Sequence, residues 1–150
     1  FLRVRAPPGS PPFPYPPVFR SDAIPATDPL AEAHRTIRNG LMFASIDKPV
    51  NLLAVTSAVP EEGKSTLVTN LAISFAREGK RVLVVDCDLR RPAQHRSFST
   101  TSNHVGLTDV LTGETEAVDA IQDTPVAGLQ LMASGATPDD PGRQIGRAHV

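Results

Sequence analysis

The sequence predicts an α/β domain built on a doubly wound, mostly parallel sheet. Three observations lead there. Two short apolar runs, residues 51–57 and 81–85, flank a segment of helical length and periodicity. A Gly63-Lys64-Ser65 turn joins the first run to that segment, and the second run ends in Asp86-Cys87-Asp88. A helix between two buried strands is a right-handed βαβ unit, and 150 residues that are 40% hydrophobic are enough for one such domain.

The elements follow in order. Nine of the fifteen prolines lie in the first 29 residues; each removes a backbone donor and fixes φ, so residues 1–27 read as a polyproline-type linker rather than a core element. Asp28-Pro29 opens the first helix, with Asp28 as cap and Pro29 at the first helical position. Leu30, Ala33, Ile37 and Leu41 recur at helical spacing and predict an inward apolar stripe, with Glu32, Arg35 and Arg38 on the opposite side. Lys48-Pro49 ends the pattern. Residues 51–57 alternate little, as expected of a strand covered on both faces. A helix over residues 64–77 buries Leu67, Leu71, Ile73 and Phe75, and Gly79 stops it. Residues 81–85 form the second buried strand. Residues 107–111 and 116–121 read as two short helices around Thr112-Gly113, and residues 129–133 as a third strand.

Composition narrows the function. Fifteen Lys+Arg against 16 Asp+Glu leave a formal charge of −1, so there is no global basic field to hold nucleic acid. One cysteine, Cys87, excludes an intrachain disulfide framework. No run approaches the roughly 20 apolar residues of a spanning helix. His34, His95, His104 and His149 share no metal-ligand spacing and read as surface or loop residues.

The strongest chemical signal is Ala58-Val-Pro-Glu-Glu-Gly63-Lys64-Ser65, which has Walker A spacing with Ala58 in place of the first glycine. Placed between a strand and a helix, such a loop aims backbone N–H groups and the helix dipole at an anion. The cofactor expected is ATP with Mg²⁺: Glu62, Gly63, Lys64, Ser65 and Thr66 surround the phosphates, Lys64 meets the β- and γ-phosphates, and Ser65 ligates the metal. Asp86 and Asp88 leave the neighbouring strand on the same edge and point the same way. Beside Lys64, the pair suits holding the metal and accepting a hydroxyl proton, although Asp-x-Asp at a strand end also caps loops. Arg90 and Arg91 either orient phosphate or form a solvated pair. Cys87 reads as a small packing residue rather than a nucleophile.

These linked motifs resemble those of the bacterial tyrosine kinases that accompany extracellular polysaccharide export. The Walker A loop, the hydrophobic triplet followed by Asp86-x-Asp88-x-Arg90, and the upstream Glu32-x-x-Arg35-x-x-Arg38 occur in the family's order, over about residues 29–141. The resemblance implies a P-loop NTPase fold and a self-phosphorylating kinase, with Lys64, Asp86, Asp88 and Arg90 catalytic and Ser65, Asp86 and Asp88 at the metal. It further implies a homo-oligomeric ring through Glu32, Arg35 and Arg38, and a membrane chain-length regulator, fused or separate, as partner. The cytoplasmic face of the bacterial plasma membrane is the implied location. Partition-type ATPase switches share the fold, but their signature lysine falls where this chain has Val59. A nucleotide-binding adaptor without catalysis is the other alternative.

Two departures bear on the site. Glu61-Glu62 stands where the family often has a glycine before the acidic residue, which restricts φ there. The family's Walker B strand and tyrosine-rich tail find no match; the lone tyrosine is Tyr15. The expectation is an N-terminal kinase part over residues 28–144, a non-native tail over 145–150, and an incomplete sheet with no kinase activity of its own.

Overall fold

The computed structural model describes residues 29–44, 51–98 and 101–137. The predicted proline-rich linker and the tail therefore lie outside the described residues. Helix α1 spans Pro29–Ala44 and helix α2 Lys64–Arg77, followed by strand β1, Val82–Val85. A 3-10 turn at Gln94–Arg96, helix α3 (Leu107–Thr112) and strands β2 (Ile121–Asp123) and β3 (Leu129–Met132) complete the order. The sheet runs β1-β3-β2, with β1 parallel and β2 antiparallel to β3. Among the described residues the predicted α/β class is present, with one parallel and one antiparallel pair in the sheet.

Helix α2 has the bounds its sequence predicts. It ends in a Schellman arrangement: Gly79, at φ 76°, donates to Ala76 O, and Lys80 N donates to Phe75 O. Ala72, Ile73 and Ala76 of α2 pack with Val84, Leu129, Leu131 and Phe98 as the core. Leu71 and Ile73 are buried as expected, whereas Leu67 and Phe75 are only half-buried. The strand predicted at 129–133 is present as β3, and the helix predicted at 107–111 as α3.

Three expectations are corrected. Residues 51–57 are not paired into the sheet, and Leu52 is 90% exposed. An apolar run states that a strand is possible, but a ladder needs a partner edge, and β1 pairs only with β3 among the described residues. With α2 over one face, β1 buries Val84 while Leu83 and Val85 stay exposed, so it is covered on one face rather than two. Residues 116–121 form a turn leading into β2, not a helix.

Helix α1 reverses its predicted face. His34 and Arg38 are buried, and Leu30 and Ile37 are exposed. The Arg38 guanidinium donates to Ser74 O at 3.0 Å and Ser74 Oγ at 3.2 Å, and pairs with Glu78 at 3.0 Å. Ser74 O is one of the four last carbonyls of α2, which lack intrahelical donors, and the helix dipole favours a cation there. A buried, charge-assisted set of bonds outweighs burying Ile37. His34 turns inward with its Nδ1 2.6 Å from Leu30 O, correcting its reading as a surface residue; His104 is exposed as expected. Glu32 and Arg35 remain on the open face and pair at 3.0 Å, the predicted i,i+3 contact.

Candidate functional site

The phosphate loop reaches α2 through backbone that glycine makes possible. Gly63 caps the helix at φ 88°, in the left-handed region, and no side chain from the cap bonds the first-turn N–H groups. The first helical bond is Leu67 N to Gly63 O at 2.9 Å. The N–H groups of Lys64, Ser65 and Thr66 therefore have no protein acceptor among the described residues, and they open at the positive end of the dipole. Gly63 and Glu62 are exposed, and Lys64 and Ser65 half-buried. This is the arrangement an oligophosphate needs.

Glu61 stands at φ 64°, the one positive-φ residue among the described residues that is not glycine. The missing glycine noted in the sequence is thus felt as strain of about 1 kcal/mol. Its pairing with Arg91, 4.0 Å apart with both side chains largely exposed, offsets little of it. Glu61→Gly is expected to raise stability by about 0.5 kcal/mol, the strain relieved less the extra unfolded-state entropy. A urea midpoint that falls in this variant would count against the left-handed loop.

Beyond β1 the two aspartates divide. Asp86 is buried, and its carboxylate accepts three backbone N–H bonds: Asp88 N at 3.1 Å on Oδ1, and Ala93 N and Gln94 N at 3.1 and 3.0 Å on Oδ2. It acts as the latch of the 87–94 loop, the capping alternative left open by the sequence. Asp88 uses only Oδ1, for Arg90 N and Arg91 N at 3.3 and 3.0 Å. Its Oδ2 has no protein donor among the described residues. Arg90 and Arg91 are exposed.

Gln94 and Thr69, which the sequence reading passed over, join this loop to the phosphate loop. Gln94 Nε2 donates to Ser65 O at 3.2 Å, and Thr69 Oγ1 lies 2.7 Å from Gln94 Oε1 and 2.8 Å from Ser65 O. Only the i,i+4 spacing of Ser65 and Thr69 hinted at this. Cys87 is exposed rather than packed. Partial burial of the thiol, then the Asp86 charge, raises its pKa above the usual thiol value. His95 is half-buried, again not a free surface residue. Burial first, then Arg96, lowers its pKa against an opposing pull from Asp86, and its Nδ1 is buried without a partner among the described residues.

Among the described residues no three or more His, Cys, Asp or Glu side chains converge as a metal cage. A divalent ion here would draw on the Ser65 hydroxyl, phosphate oxygens and water, with Asp88 Oδ2 as an acceptor for its water ligands, a donor set that suits Mg²⁺. The free first-turn donors and the open side of Gly63, where an added Cβ would meet nothing within 4 Å, fit a nucleotide phosphate chain.

Residues 53–131 match the CobQ/CobB/MinD/ParA nucleotide binding domain. The tyrosine-protein kinase YwqD of Bacillus subtilis (strain 168) is 42% identical over 82% of this chain and 53% of its own length. The kinase domain of the Escherichia coli tyrosine kinase ETK superposes with a TM-score of 0.73 at 35% identity, over 78% of this chain and 46% of that one. The septum site-determining protein MinD of Pyrococcus horikoshii OT3, complexed with Mg-ADP, is more distant: TM-score 0.52, 26% identity, 62% and 37% covered. The chain spans about half the length of the first curated relative.

Proposed function

This chain belongs to the CobQ/CobB/MinD/ParA nucleotide-binding domain family, with bacterial tyrosine-protein kinases among its relatives, and from that premise we propose that its protein transfers the γ-phosphoryl group of ATP to tyrosine hydroxyls. The observation that carries this is the pairing of a donor-rich first turn, Lys64 to Thr66, with a carboxylate loop tied to it through Gln94.

In this reading the N–H groups of α2 and the Lys64 ammonium hold the phosphates. Ser65 directly, and Asp88 through a water ligand, would hold Mg²⁺, and the bound ion would supply charge neutralisation on the transferred group. The tyrosine oxygen bonds to Pγ as the bond from Pγ to the β–γ bridging oxygen breaks, leaving ADP. Asp88 would accept the hydroxyl proton in this reading, which is supported by its Oδ2 having no protein donor among the described residues. Asp86 keeps the loop in shape rather than moving protons, and Arg90, exposed on the same loop, would support the site electrostatically. The rate enhancement is positioning and electrostatics.

The exposed Glu32–Arg35 pair on α1 is the proposed contact between copies in a ring. Arg38 contributes indirectly, by holding α1 on α2. A polysaccharide chain-length regulator at the cytoplasmic face of the plasma membrane is the proposed partner; no described helix is long and apolar enough to cross a membrane.

Lys64→Met in the full-length protein is expected to weaken Mg-ATP binding by about 1.5 to 3 kcal/mol, the range for a hydrogen bond to a charged group. That is roughly tenfold to over a hundredfold. Calorimetry finding equal affinity would remove Lys64 from the site. Incubating the wild-type protein with ATP and a tyrosine-rich acceptor tests the reaction itself: free phosphate without phosphotyrosine would replace the kinase by an ATPase switch.

A further inference from the structure

The residues joining the two loops do more than fill space. Gln94 and Thr69 are 5% and 1% exposed, so their polar atoms answer to each other and to Ser65, not to water. The Gln94 backbone N–H belongs to Asp86 while its side chain belongs to the phosphate loop, Nε2 on Ser65 O and Oε1 on the Thr69 hydroxyl. Ser97 Oγ, 3.2 Å from Thr69 Oγ1, closes the set. Ser65 carries a hydroxyl suited to the metal, and Asp86 shapes the turn that carries Asp88. One buried residue, Gln94, thus bonds to both loops.

We propose that Gln94 and Thr69 are positioning residues that set the Ser65 turn against the Asp86–Asp88 loop, so that nucleotide and Mg²⁺ strengthen each other's binding through this bridge. This rests on the nucleotide-binding part of the reading above and not on tyrosine as acceptor. A shell that orients metal ligands typically governs tenfold to a hundredfold in metal affinity. Binding linkage is reciprocal, so the coupling is readable from the nucleotide side alone.

The test is calorimetry of ADP on the full-length protein, in EDTA and in Mg²⁺, whose affinity ratio is the coupling. Gln94→Leu spares the backbone bond to Asp86, and Thr69→Val removes one hydroxyl. Each is expected to cut the ratio about tenfold while leaving ADP affinity in EDTA within about twofold. Thr69→Ser should restore it, and the double variant should lose little more than either single one, as residues acting as one unit do. A ratio unchanged in Thr69→Val would overturn the proposal, as would parallel loss of both affinities together with thermal stability. If Gln94→Leu does not fold, the Thr69→Val and Thr69→Ser pair still decides. Wild-type protein with a Mg²⁺-dependent ADP affinity but no phosphotyrosine would end the kinase reading and leave this coupling intact; wild-type protein that binds no nucleotide would end both.

Discussion

Asp86→Ala is expected to lose about 3 to 5 kcal/mol of stability, before any activity is measured. Each hydrogen bond to a charged group contributes about 1.5 to 3 kcal/mol, and Asp86 accepts three from the loop it closes. Partial relaxation of residues 87–94 returns some of the sum, because donors released to the surface find water. Asp88→Ala should behave differently. Its two bonds go to Arg90 N and Arg91 N in exposed backbone, so its loss should cost under about 1 kcal/mol of stability while removing the carboxylate oxygen assigned to metal and proton. Urea unfolding and phosphotyrosine formation, measured on both variants, separate a latch from a reacting group. Equal stability of Asp86→Ala and wild type would return Asp86 to the chemistry, and a strongly destabilised Asp88→Ala would make it the structural member.

Gly106→Ala is expected to destabilise by about 2 to 4 kcal/mol, the range for forcing atoms into a packed site with no room to yield. A Cβ at Gly106 would stand 2.2 Å from Ala133 O and 2.3 Å from Gly135 N, both backbone atoms that no rotamer change can move aside. The close approach exists because the chain leaving β3 hydrogen-bonds the start of α3. Leu107 N donates to Ala133 O and Thr108 N to Ser134 O, both at 2.8 Å. Asn103 clamps the same corner, donating to Gly135 O and accepting from Gly135 N. Asp109 accepts the Gly106 N–H at 2.7 Å. Ala133 follows β3, whose Met132 O accepts from Asp86 N, so the displacement should also reach the candidate site. For a chain of this size the loss corresponds to roughly 4 to 16 °C in melting temperature. A midpoint within a degree of wild type would show that α3 does not dock as closely as these distances require.

Local signals were legible wherever one short segment carries both the cause and the effect. Helix α2 could be bounded at Lys64 and Arg77 because the Gly63-Lys64 turn starts it and Gly79 stops it, each within a few residues of the end it controls. The phosphate loop was readable for the same reason: its donors are backbone groups made available by the glycine in the motif. Strand β3 and helix α3 announced themselves through apolar content next to glycine turns.

Other features depend on a partner far away in sequence. The inward face of α1 was decided by Ser74 and Glu78, about 36 and 40 positions from Arg38, and hydrophobic periodicity had no means of weighing a buried guanidinium against Ile37. Residues 51–57 have the composition of a strand, but pairing is a property of two edges, and the second was not in the pattern. The alternation of Asp86 and Asp88 placed both at the right edge, yet which one is a latch depended on how residues 87–94 turn back. Gln94 carried no local signal at all. The sequence by itself determined where phosphate-binding chemistry sits and which residue types are available to it, because those are statements about contiguous chain. Only the tertiary structure decided that Asp86 accepts three backbone N–H bonds from its own loop, that Asp88 keeps an oxygen clear of protein donors among the described residues, and that Arg38 faces inward. Each of those outcomes is a competition among distant groups for the same buried hydrogen bonds, settled by which geometry leaves the fewest of them unmade.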